Sequence, residues 1–221
     1  VNNLADAIKN DGMLANPPVV AHTKGQYIVL DGATRTTAFK QLRIPHIIVQ
    51  VMDADSPQVN LSAWHHLIRG SSAEEFLDEL KQIEGLRLSE ITESQLDGVL
   101  EKASTVAYFM LPDGKFWLAE VASEEFERFE VLNEVVAHYT KWGHVARTVE
   151  SNLENLRLRY PNMAGLGVFP RFKASDVVEA GVTRKLIPAG ITRFMITGRV
   201  LRLNMPLEVL ESRQPLIAKR R

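Results

Sequence analysis

The stretch VLDGATRTTAFKQL, residues 29–42, marks a change from strand to helix. Its first residues close the apolar run 27–30, which is rich in β-forming side chains and predicts a strand. Apolar residues then recur at helical spacing until Pro45, which predicts a helix over about 34–43. The first N–H groups of a helix have no partner within it, and the helix dipole adds partial positive charge there. The junction is therefore suited to an anion.

The polar residues of this junction allow two interpretations. Asp31 and Gly32 form a common turn dipeptide and Thr34 is a suitable helix N-cap, so the stretch by itself is consistent with an ordinary helix start. Arg35 adds a forked cation close to the same helix N-terminus, which favours an anion site. The choice between the two depends on the rest of the chain.

The composition describes a globular protein and excludes several kinds of site. The chain has 221 residues, a net charge of −1 and 45% hydrophobic residues, which is enough for one large domain or two small ones. It has no cysteine, which excludes disulfides, thiolate metal ligands and cysteine nucleophiles. The same absence fits a reducing compartment, so we expect a cytoplasmic protein. The near-neutral charge gives no reason to expect strong nonspecific binding to nucleic acid.

The sequence shows no segment that would target the chain to a membrane. No apolar run reaches the roughly 20 residues needed to span a bilayer, and no signal peptide is visible. We therefore expect no membrane partner. The chain begins with Val1 rather than Met, which suggests that an N-terminal segment precedes it. The last residues, 218–221, are basic and are most simply a solvated end.

The first fifty residues predict a compact unit of helices and strands. An amphipathic helix over 2–11 ends at Gly12, and strands over 17–22 and 26–30 form a hairpin. The helix after Asp31 is followed by a strongly apolar strand over 47–52. The order helix, hairpin, helix, strand is typical of a small mixed α and β module.

The rest of the chain predicts a second mixed α and β region. Pro112, Asp113 and Gly114 mark a clear hairpin turn. The predicted elements are a short helix over 61–68, a helix starting near Ser72, hairpin strands over 105–111 and 115–121, a long helix over 124–142, a helix over 151–159, a strand over 165–169, a helix over 174–180 and two final extended segments, the second of them a largely buried strand over 200–205.

A second polar cluster is LSAWHHLIRG, residues 61–70. On the predicted helix the two adjacent histidines point about 100° apart, so they are poorly placed to chelate one metal ion. We therefore predict no metal site from protein side chains. Trp64 is suited to the core or to a lid, and His65 is suited to a polar role beside it.

A third cluster lies within residues 186–207. Gly190 permits close approach of the backbone, Thr192 offers a hydroxyl and Arg193 offers a guanidinium fork, which together suit a carboxylate or a phosphate. A surface loop with a cation at its rim is the alternative. Three separate anion-suited clusters in a chain without net positive charge favour a binding site.

These residues carry a resemblance to a known family. Over residues 7–52 the chain has an Ile-x-x-x-Gly-x-Leu-x-x-Pro stretch, a strand, Asp-Gly-x-x-Arg at the start of a helix and a closing apolar strand, which resembles the ParB/sulfiredoxin-like fold. Trp64 and His65 after this module, and the block from Thr192 to Leu207, resemble the free L-serine kinases built on that fold. The correspondence is dense over 7–69 and 184–210.

The resemblance implies an activity and a role for each matching residue. Free L-serine kinases phosphorylate the amino acid to O-phosphoserine with ADP or ATP, and Mg²⁺ would bridge the phosphates. Asp31 would lie beside the transferred phosphoryl group and the substrate hydroxyl. The nucleotide phosphates would lie on Gly32, Ala33, Thr34 and Arg35, and the amino acid would be held by Trp64, His65, Thr192 and Arg193.

The chain departs from the family pattern at two places. The family's turn carries Asp-Gly-x-His-Arg, whereas this chain has Ala33 and then Thr34 at the histidine position, which keeps a hydroxyl and loses the imidazole. The family's catalytic glutamate lies upstream of the first helix, whereas this chain begins at Val1, so its counterpart is truncated away, disordered or absent.

The sequence therefore predicts an α+β protein of two lobes with a cleft between them. A ParB/sulfiredoxin-like module over residues 1–70 would bind nucleotide, and an α+β lobe over 71–221 would bind the amino acid, its last strands returning to the cleft. The partners are a nucleotide and free L-serine or a similar hydroxy amino acid. The alternative is a non-catalytic ParB-like protein that senses a ligand or associates with DNA, although no helix-turn-helix is recognisable. Nuclease activity has little support because no acidic metal cluster is evident.

Overall fold

The computed structural model describes residues 2–212, which form a mixed α and β protein as the sequence predicts. The predicted solvated end over 218–221 lies outside the described residues. The helices are α1 Asn2–Asp11, α2 Ala33–Gln41, α3 Ala73–Leu80, α4 Arg128–Trp142, α5 Leu153–Arg159, α6 Ala174–Thr183 and α7 Leu207–Glu211, with 3₁₀ turns at Glu93–Gln95 and Val99–Glu101. The strands are β1 Met13–Leu14, β2 Val19–Thr23, β3 Gln26–Asp31, β4 Gln50–Met52, β5 Val59–Ala63, β6 His65–Arg69, β7 Leu86–Ile91, β8 Thr105–Met110, β9 Phe116–Val121, β10 His144–Thr148, β11 Met163–Val168, β12 Thr192–Ile196 and β13 Met205–Pro206.

The chain divides into two compact units. Within the described residues the first unit comprises 2–60 together with 194–212, and the second comprises 61–193. The chain passes from one unit to the other within β5 and again within β12. These bounds differ from the predicted modules, since residues 61–70 belong to the second unit and the last described segment belongs to the first.

The first unit is built on a three-stranded sheet. The hairpin of β2 and β3 is confirmed, and β4 pairs in parallel with the other edge of β2. β1 pairs antiparallel with β13, which brings residues 205–206 beside residues 13–14. The core of this unit combines side chains from both ends of the sequence: Ala5, Ile8, Leu14, Ala38, Phe39, Leu207 and Leu210.

The second unit is built on a six-stranded sheet in the order β10-β6-β11-β8-β9-β7. The predicted hairpin around residues 112–114 is confirmed by the pairing of β8 with β9. α3 begins with a capping box between Ser72 and Glu75, and its Phe76 packs in the same core as Phe109 of β8 and Tyr139 of α4. Because helix and sheet share this core, β6 and its neighbours are held rigidly against α4.

Two predicted elements are wrong. Residues 61–68 do not form a helix but lie in β5 and β6. Three successive residues of β6, His66, Leu67 and Ile68, are buried, so the strand shows no alternation and its apolar run is indistinguishable from a helical one.

The second error concerns the predicted buried strand over 200–205. Val200, Leu201 and Leu203 are 38%, 61% and 38% exposed, and only Met205–Pro206 pairs as a strand. Arg202 and Asn204 have φ values of 56° and 49°, in the left-handed region. These two residues interrupt an extended conformation, which the apolar pattern alone could not show.

Candidate functional site

The junction between β3 and α2 places Asp31 at the end of a strand and directly before a helix. Gly32 is the N-cap of α2 with φ 94° and ψ 23°, a left-handed conformation that favours glycine. A Cβ atom at Gly32 would lie 3.0 Å from the Cα of Pro18 and 3.0 Å from Nη2 of Arg35. Glycine is therefore required here by conformation and by close packing.

Two guanidinium groups converge on the Asp31 carboxylate. Nη2 of Arg35 donates to Oδ2 of Asp31 at 2.8 Å, and Nη2 of Arg199 donates to the same oxygen. The three side chains are between 19% and 34% exposed, so the cluster is partly open to solvent. Charge-assisted hydrogen bonds of this kind fix the carboxylate in one orientation.

The same arginine also ties the α2 junction to the preceding loop. Nη1 of Arg35 donates to the carbonyl oxygens of Asn16 at 2.6 Å and Pro17 at 3.1 Å. Partial burial is the main cause that lowers the pKa of Arg35, and Asp31 opposes this effect. The Arg35 side chain is thus part of the local framework.

The N-terminus of α2 has no side-chain cap. Gly32 offers no side-chain acceptor, and the hydroxyls of Thr36 and Thr37 donate back to the carbonyls of Gly32 and Ala33. Within the described part of the chain, the first N–H groups of the helix therefore have no side-chain oxygen as a cap, and Thr34 beside them is exposed. This arrangement attracts anions.

Arg199 is a site residue that sequence reasoning missed. Its segment is anchored by Gln50, whose Nε2 donates to the carbonyl of Gly198 at 3.1 Å and whose Oε1 accepts from the N–H of Val200 at 2.9 Å. The Nε of Arg199 is buried and donates to no described residue. Since Arg199 and Asp31 are 168 residues apart, no local pattern could have paired them.

In the second unit, Trp64 and Arg193 form a pair. The Arg193 guanidinium carbon lies 4.8 Å from the centroid of the Trp64 ring, within the range of a cation–π contact. The backbone N–H of Trp64 donates to the carbonyl of Ile191 at 2.8 Å. Thr192 lies between Ile191 and Arg193, at the start of β12, and is half-buried.

Beside this pair lies a cavity of ≈360 Å³. His65, Arg171 and Arg193 line it, and the burial of His65, together with the nearby Arg171, lowers its pKa. Nδ1 of His65 is buried without a partner among the described residues. The other described lining residues are Ser62, Ala63, Leu100, Tyr108, Val149, Ser151, Val168 and Phe169. Among the described residues the lining thus contains two cations, several hydroxyls and no carboxylate.

The structure thus groups the predicted site residues within their own units. Asp31, Gly32 and Arg35 lie together with Arg199 in the first unit. In the second unit, His65 and Arg193 line one cavity and Trp64 contacts Arg193 through its ring. Arg171 also lines this cavity, an addition that the sequence did not indicate. The sharing of one cleft by the two groups stays a prediction.

Comparison with known proteins supports the resemblance found in the sequence. No protein-family model matches the chain. The ATP-dependent L-serine kinase of Staphylothermus marinus is 33% identical over 95 residues, which are 41% of this chain and 36% of that protein. The match therefore spans about a third of the length of the curated relative. The resemblance to L-serine kinases is confirmed at the level of sequence similarity.

Solved structures share the fold of this chain. A free serine kinase in complex with AMP superposes with a TM-score of 0.74 at 16% identity, over 95% of this chain and 85% of that one. SbnI with a C-terminal truncation, from Staphylococcus aureus, gives a TM-score of 0.72 at 23% identity, over 96% of this chain and 82% of that one. The mixed α+β fold of free serine kinases is therefore the fold of this chain.

Two kinds of feature are absent from the described residues 2–212. None of the helices there is both long and apolar enough to cross a bilayer. Nor does this part of the chain contain a group of three or more His, Cys, Asp or Glu side chains placed to hold a metal ion.

Proposed function

We propose that this protein is a phosphotransferase that transfers a phosphoryl group from a nucleotide to the hydroxyl of free L-serine or a similar hydroxy amino acid. One observation carries the proposal: a carboxylate held by two arginines stands beside an uncapped helix N-terminus. Phosphoryl transfer needs positioning and neutralisation of charge more than covalent help, and this junction offers both. The similarity to an L-serine kinase over 95 residues supports the same activity.

Asp31 is the proposed catalytic residue. Its Oδ2 accepts from both arginines, so its second carboxylate oxygen, Oδ1, is free of both bonds. That oxygen would accept the proton of the substrate hydroxyl or orient it for in-line attack on the phosphoryl group. The two guanidiniums keep the carboxylate in place while the attacking oxygen moves.

The nucleotide phosphates are proposed to lie on the first turn of α2. The N–H groups of Ala33, Thr34 and Arg35 would donate to phosphate oxygens, and the exposed Thr34 hydroxyl would add a donor where the family has histidine. Arg199 donates to Asp31 through Nη2, and its other terminal guanidinium N–H groups would make it an additional phosphate ligand. Arg35 contributes through the N–H groups that are not bound to Asp31, Asn16 or Pro17.

The donor set fits Mg²⁺ bound together with phosphate. Mg²⁺ in such sites is held by one or two carboxylates, substrate phosphates and water rather than by a cage of protein ligands. Asp31 is a carboxylate of this kind beside the proposed phosphate site. When bound, the ion would neutralise charge on the phosphate oxygens.

The second unit is proposed to bind the amino acid. Arg193 and Arg171 would pair with its carboxylate, His65 would hydrogen-bond to it, and the Trp64 ring would cover it, with Thr192 adding a hydroxyl. The lining of the cavity has no carboxylate, which favours an anionic group on the ligand. The proposal includes a ParB/sulfiredoxin-like module over about 1–70.

The test is formation of O-phosphoserine by the full natural protein. The protein is incubated with L-serine, Mg²⁺ and either ADP or ATP, and the product is identified by ³¹P NMR and mass spectrometry. L-Threonine, L-homoserine and D-serine define the acceptor, and an arm with excess EDTA tests the metal requirement. We expect product from L-serine with at least one nucleotide. No product with either nucleotide would contradict the kinase and favour a ligand sensor.

A further inference from the structure

A buried hydrogen-bonded chain runs from α4 through β6 to the loop before β12. His66 is 3% exposed and Tyr139 is completely buried. Nδ1 of His66 lies 2.6 Å from the Tyr139 hydroxyl oxygen, and Nε2 lies 3.1 Å from the carbonyl oxygen of Gly190. Neither His66 nor Tyr139 lines the cavity that His65 and Arg193 line. The proposed substrate contacts therefore do not account for the hydrogen bonds between Tyr139, His66 and Gly190.

The direction of each bond follows from the chemistry of its partners. The Gly190 carbonyl only accepts, so Nε2 of His66 must carry the proton. Nδ1 of the neutral ring is then an acceptor, and the Tyr139 hydroxyl must donate to it. Burial is the main cause that lowers the pKa of His66 to about 4, so the ring is neutral near pH 7. Tyr139 thus selects one of the two tautomers of His66.

The carbonyl that this tautomer holds belongs to the loop directly before β12, the strand that begins with Thr192 and Arg193. Gly190 has a φ of 97°, and Ile191 after it is completely buried. The carbonyl of Ile191 accepts from the backbone N–H of Trp64. The His66 ring therefore holds the carbonyl of Gly190, and the backbone N–H of Trp64 holds the carbonyl of Ile191. Together these two bonds fix the peptide groups directly before Thr192.

We propose that His66 and Tyr139 are positioning residues for the loop before β12, with Tyr139 locking His66 in the tautomer that holds the Gly190 carbonyl and so aligns Arg193, at the start of β12, against Trp64. The inference rests on the proposed function in one respect only, the identity of the ligand that Arg193 binds. With the wrong tautomer, an imidazole lone pair would face the carbonyl lone pairs and the loop would shift. Misplacement of a binding group by a small distance is costly in an enzyme.

The first test is spectroscopic and needs no substrate. ¹⁵N-histidine labelling and long-range ¹H–¹⁵N correlation at pH 7 report which ring nitrogen of His66 carries the proton. We expect the Nε2–H form in the wild type and a loss of that preference in Tyr139→Phe, which removes only the hydroxyl. Tyr160→Phe is the matched control in the same unit, since no described residue is hydrogen-bonded to its hydroxyl. A wild-type ring protonated at Nδ1 would overturn the proposal.

The second test reports on the loop. In protein labelled with 5-fluorotryptophan, the ¹⁹F resonance of Trp64, assigned with Trp64→Phe, should shift in Tyr139→Phe and stay in place in Tyr160→Phe. An unchanged Trp64 resonance in a folded Tyr139→Phe protein would refute the coupling. If Tyr139→Phe does not fold, His66→Gln replaces it, because the amide can donate to Gly190 and accept from Tyr139. His66→Gln should keep the Trp64 resonance, while His66→Leu should shift it.

The third test is kinetic. KM for L-serine should rise roughly tenfold in Tyr139→Phe, as expected for loss of one aligned hydrogen bond, while kcat and the KM for nucleotide change little. His66→Gln should stay close to the wild type. A similar rise in both KM values together with a fall in kcat would indicate general damage to the protein and would count against a positioning role. If the wild type makes no O-phosphoserine, the proposed function fails, and the two spectroscopic tests still decide this inference.

Discussion

Arg199 and Arg35 donate to the same oxygen of Asp31, although Arg35 lies one helical turn away and Arg199 lies 168 residues away in the chain. The local arginine could be found from the sequence, and the distant one could not. Both are partly exposed, so the two contacts together contribute about 1 kcal/mol to stability rather than the larger value of a buried pair. Their main effect is to set the orientation of the carboxylate.

Replacement of Arg199 should separate its role in the site from its role in folding. We expect Arg199→Ala to lower kcat/KM for nucleotide roughly ten- to a hundredfold, because a charge-assisted contact to phosphate is lost. Arg199→Lys should restore activity only in part, since an ammonium cannot reproduce the fork. Stability should fall by less than about 1 kcal/mol, since this is one of the two partly exposed contacts. Steady-state kinetics and urea unfolding measure the two effects, with exposed Arg159→Ala as control. Unchanged nucleotide kinetics in Arg199→Ala would remove it from the site.

Asp31→Asn tests whether the carboxylate takes part in the chemical step. Asparagine keeps the shape and one oxygen acceptor for the arginines but loses the charge. Turnover should fall by roughly a hundredfold or more while nucleotide affinity changes much less, since only interactions that strengthen in the transition state affect that step. Asp53→Asn is the matched control, because Oδ1 of Asp53 accepts from the N–H of Asp55 and an asparagine oxygen can do the same. Wild-type turnover in Asp31→Asn would refute the assignment and leave the kinase itself intact.

Arg35→Ala should affect both the nucleotide and the fold. Loss of the guanidinium should weaken nucleotide binding by about 1.5–3 kcal/mol, or roughly ten- to a hundredfold. It also frees the carbonyls of Asn16 and Pro17, so the midpoint of thermal unfolding should drop. Arg35→Lys should recover little of either effect, because one ammonium cannot reach these carbonyls and Asp31 together. Titration calorimetry on folded protein is decisive: equal affinity in Arg35→Ala would contradict the proposed phosphate site.

Gly32 and Gly25 form a matched pair for measuring close packing at the junction. Both have positive φ, 94° and 73°, but a Cβ at Gly25 would meet nothing within 4 Å, whereas one at Gly32 would press on Pro18 and Arg35. Gly25→Ala should cost about 1 kcal/mol from the backbone alone. Gly32→Ala should cost at least about 1 kcal/mol more and should displace Arg35. Urea unfolding of the two variants gives the difference, and equal losses would show that the junction has room for a side chain.

Stability should depend on pH through His66. Its pKa falls from an ordinary 6.5 to about 4, mainly because of burial. The hydrogen bond to the Gly190 carbonyl raises the pKa in part, whereas Arg147 and His65 lower it further. The unfolded chain therefore binds the proton more readily than the folded one. The free energy of unfolding therefore has its full value above pH 6.5, as far as this ring is concerned, and decreases as the pH falls from 6.5 to about 4. The total decrease is about 3 kcal/mol.

The matched variant for this prediction is His66→Gln, which has no titrating ring. Urea unfolding at pH 7.5 and pH 5 should show a steeper loss in the wild type than in the variant. His65, whose pKa is also lowered, titrates over part of the same window and remains in both proteins. Parallel losses in the two proteins would show that the His66 ring is protonated in the folded state or is not buried.

The sequence predicted those parts of the fold whose signals are local. The hairpin of β2 and β3, the glycine at position 32 and the start of α2 follow from turn chemistry and apolar spacing within a few residues. β6 was missed because it is buried on both faces, which erases the alternation that identifies a strand. Residues 200–205 were misassigned because apolar side chains there are exposed, and the left-handed residues Arg202 and Asn204 have no apolar signature.

The candidate site shows the same division between local and distant information. Asp31 and Arg35 lie in one motif, and Trp64 and His65 are adjacent, so a resemblance over a short stretch is enough to find them. Arg171 and Arg199 lie outside the strands, and each meets its partners in the site only through the tertiary fold. Neither arginine has a neighbour in sequence that marks it as functional. Only tertiary structure distinguishes them from ordinary surface cations.

The first unit is completed only when the chain returns to it after residue 193. Its core needs Leu207 and Leu210, and strand β1 needs Met205 as its partner. On the ribosome, residues 2–60 emerge first but lack these contacts, whereas the continuous second unit can fold as soon as it is synthesised. Translation therefore orders assembly: the unit that contains Asp31 closes last, and a chain stopped before residue 205 would expose the apolar faces of α1 and α2.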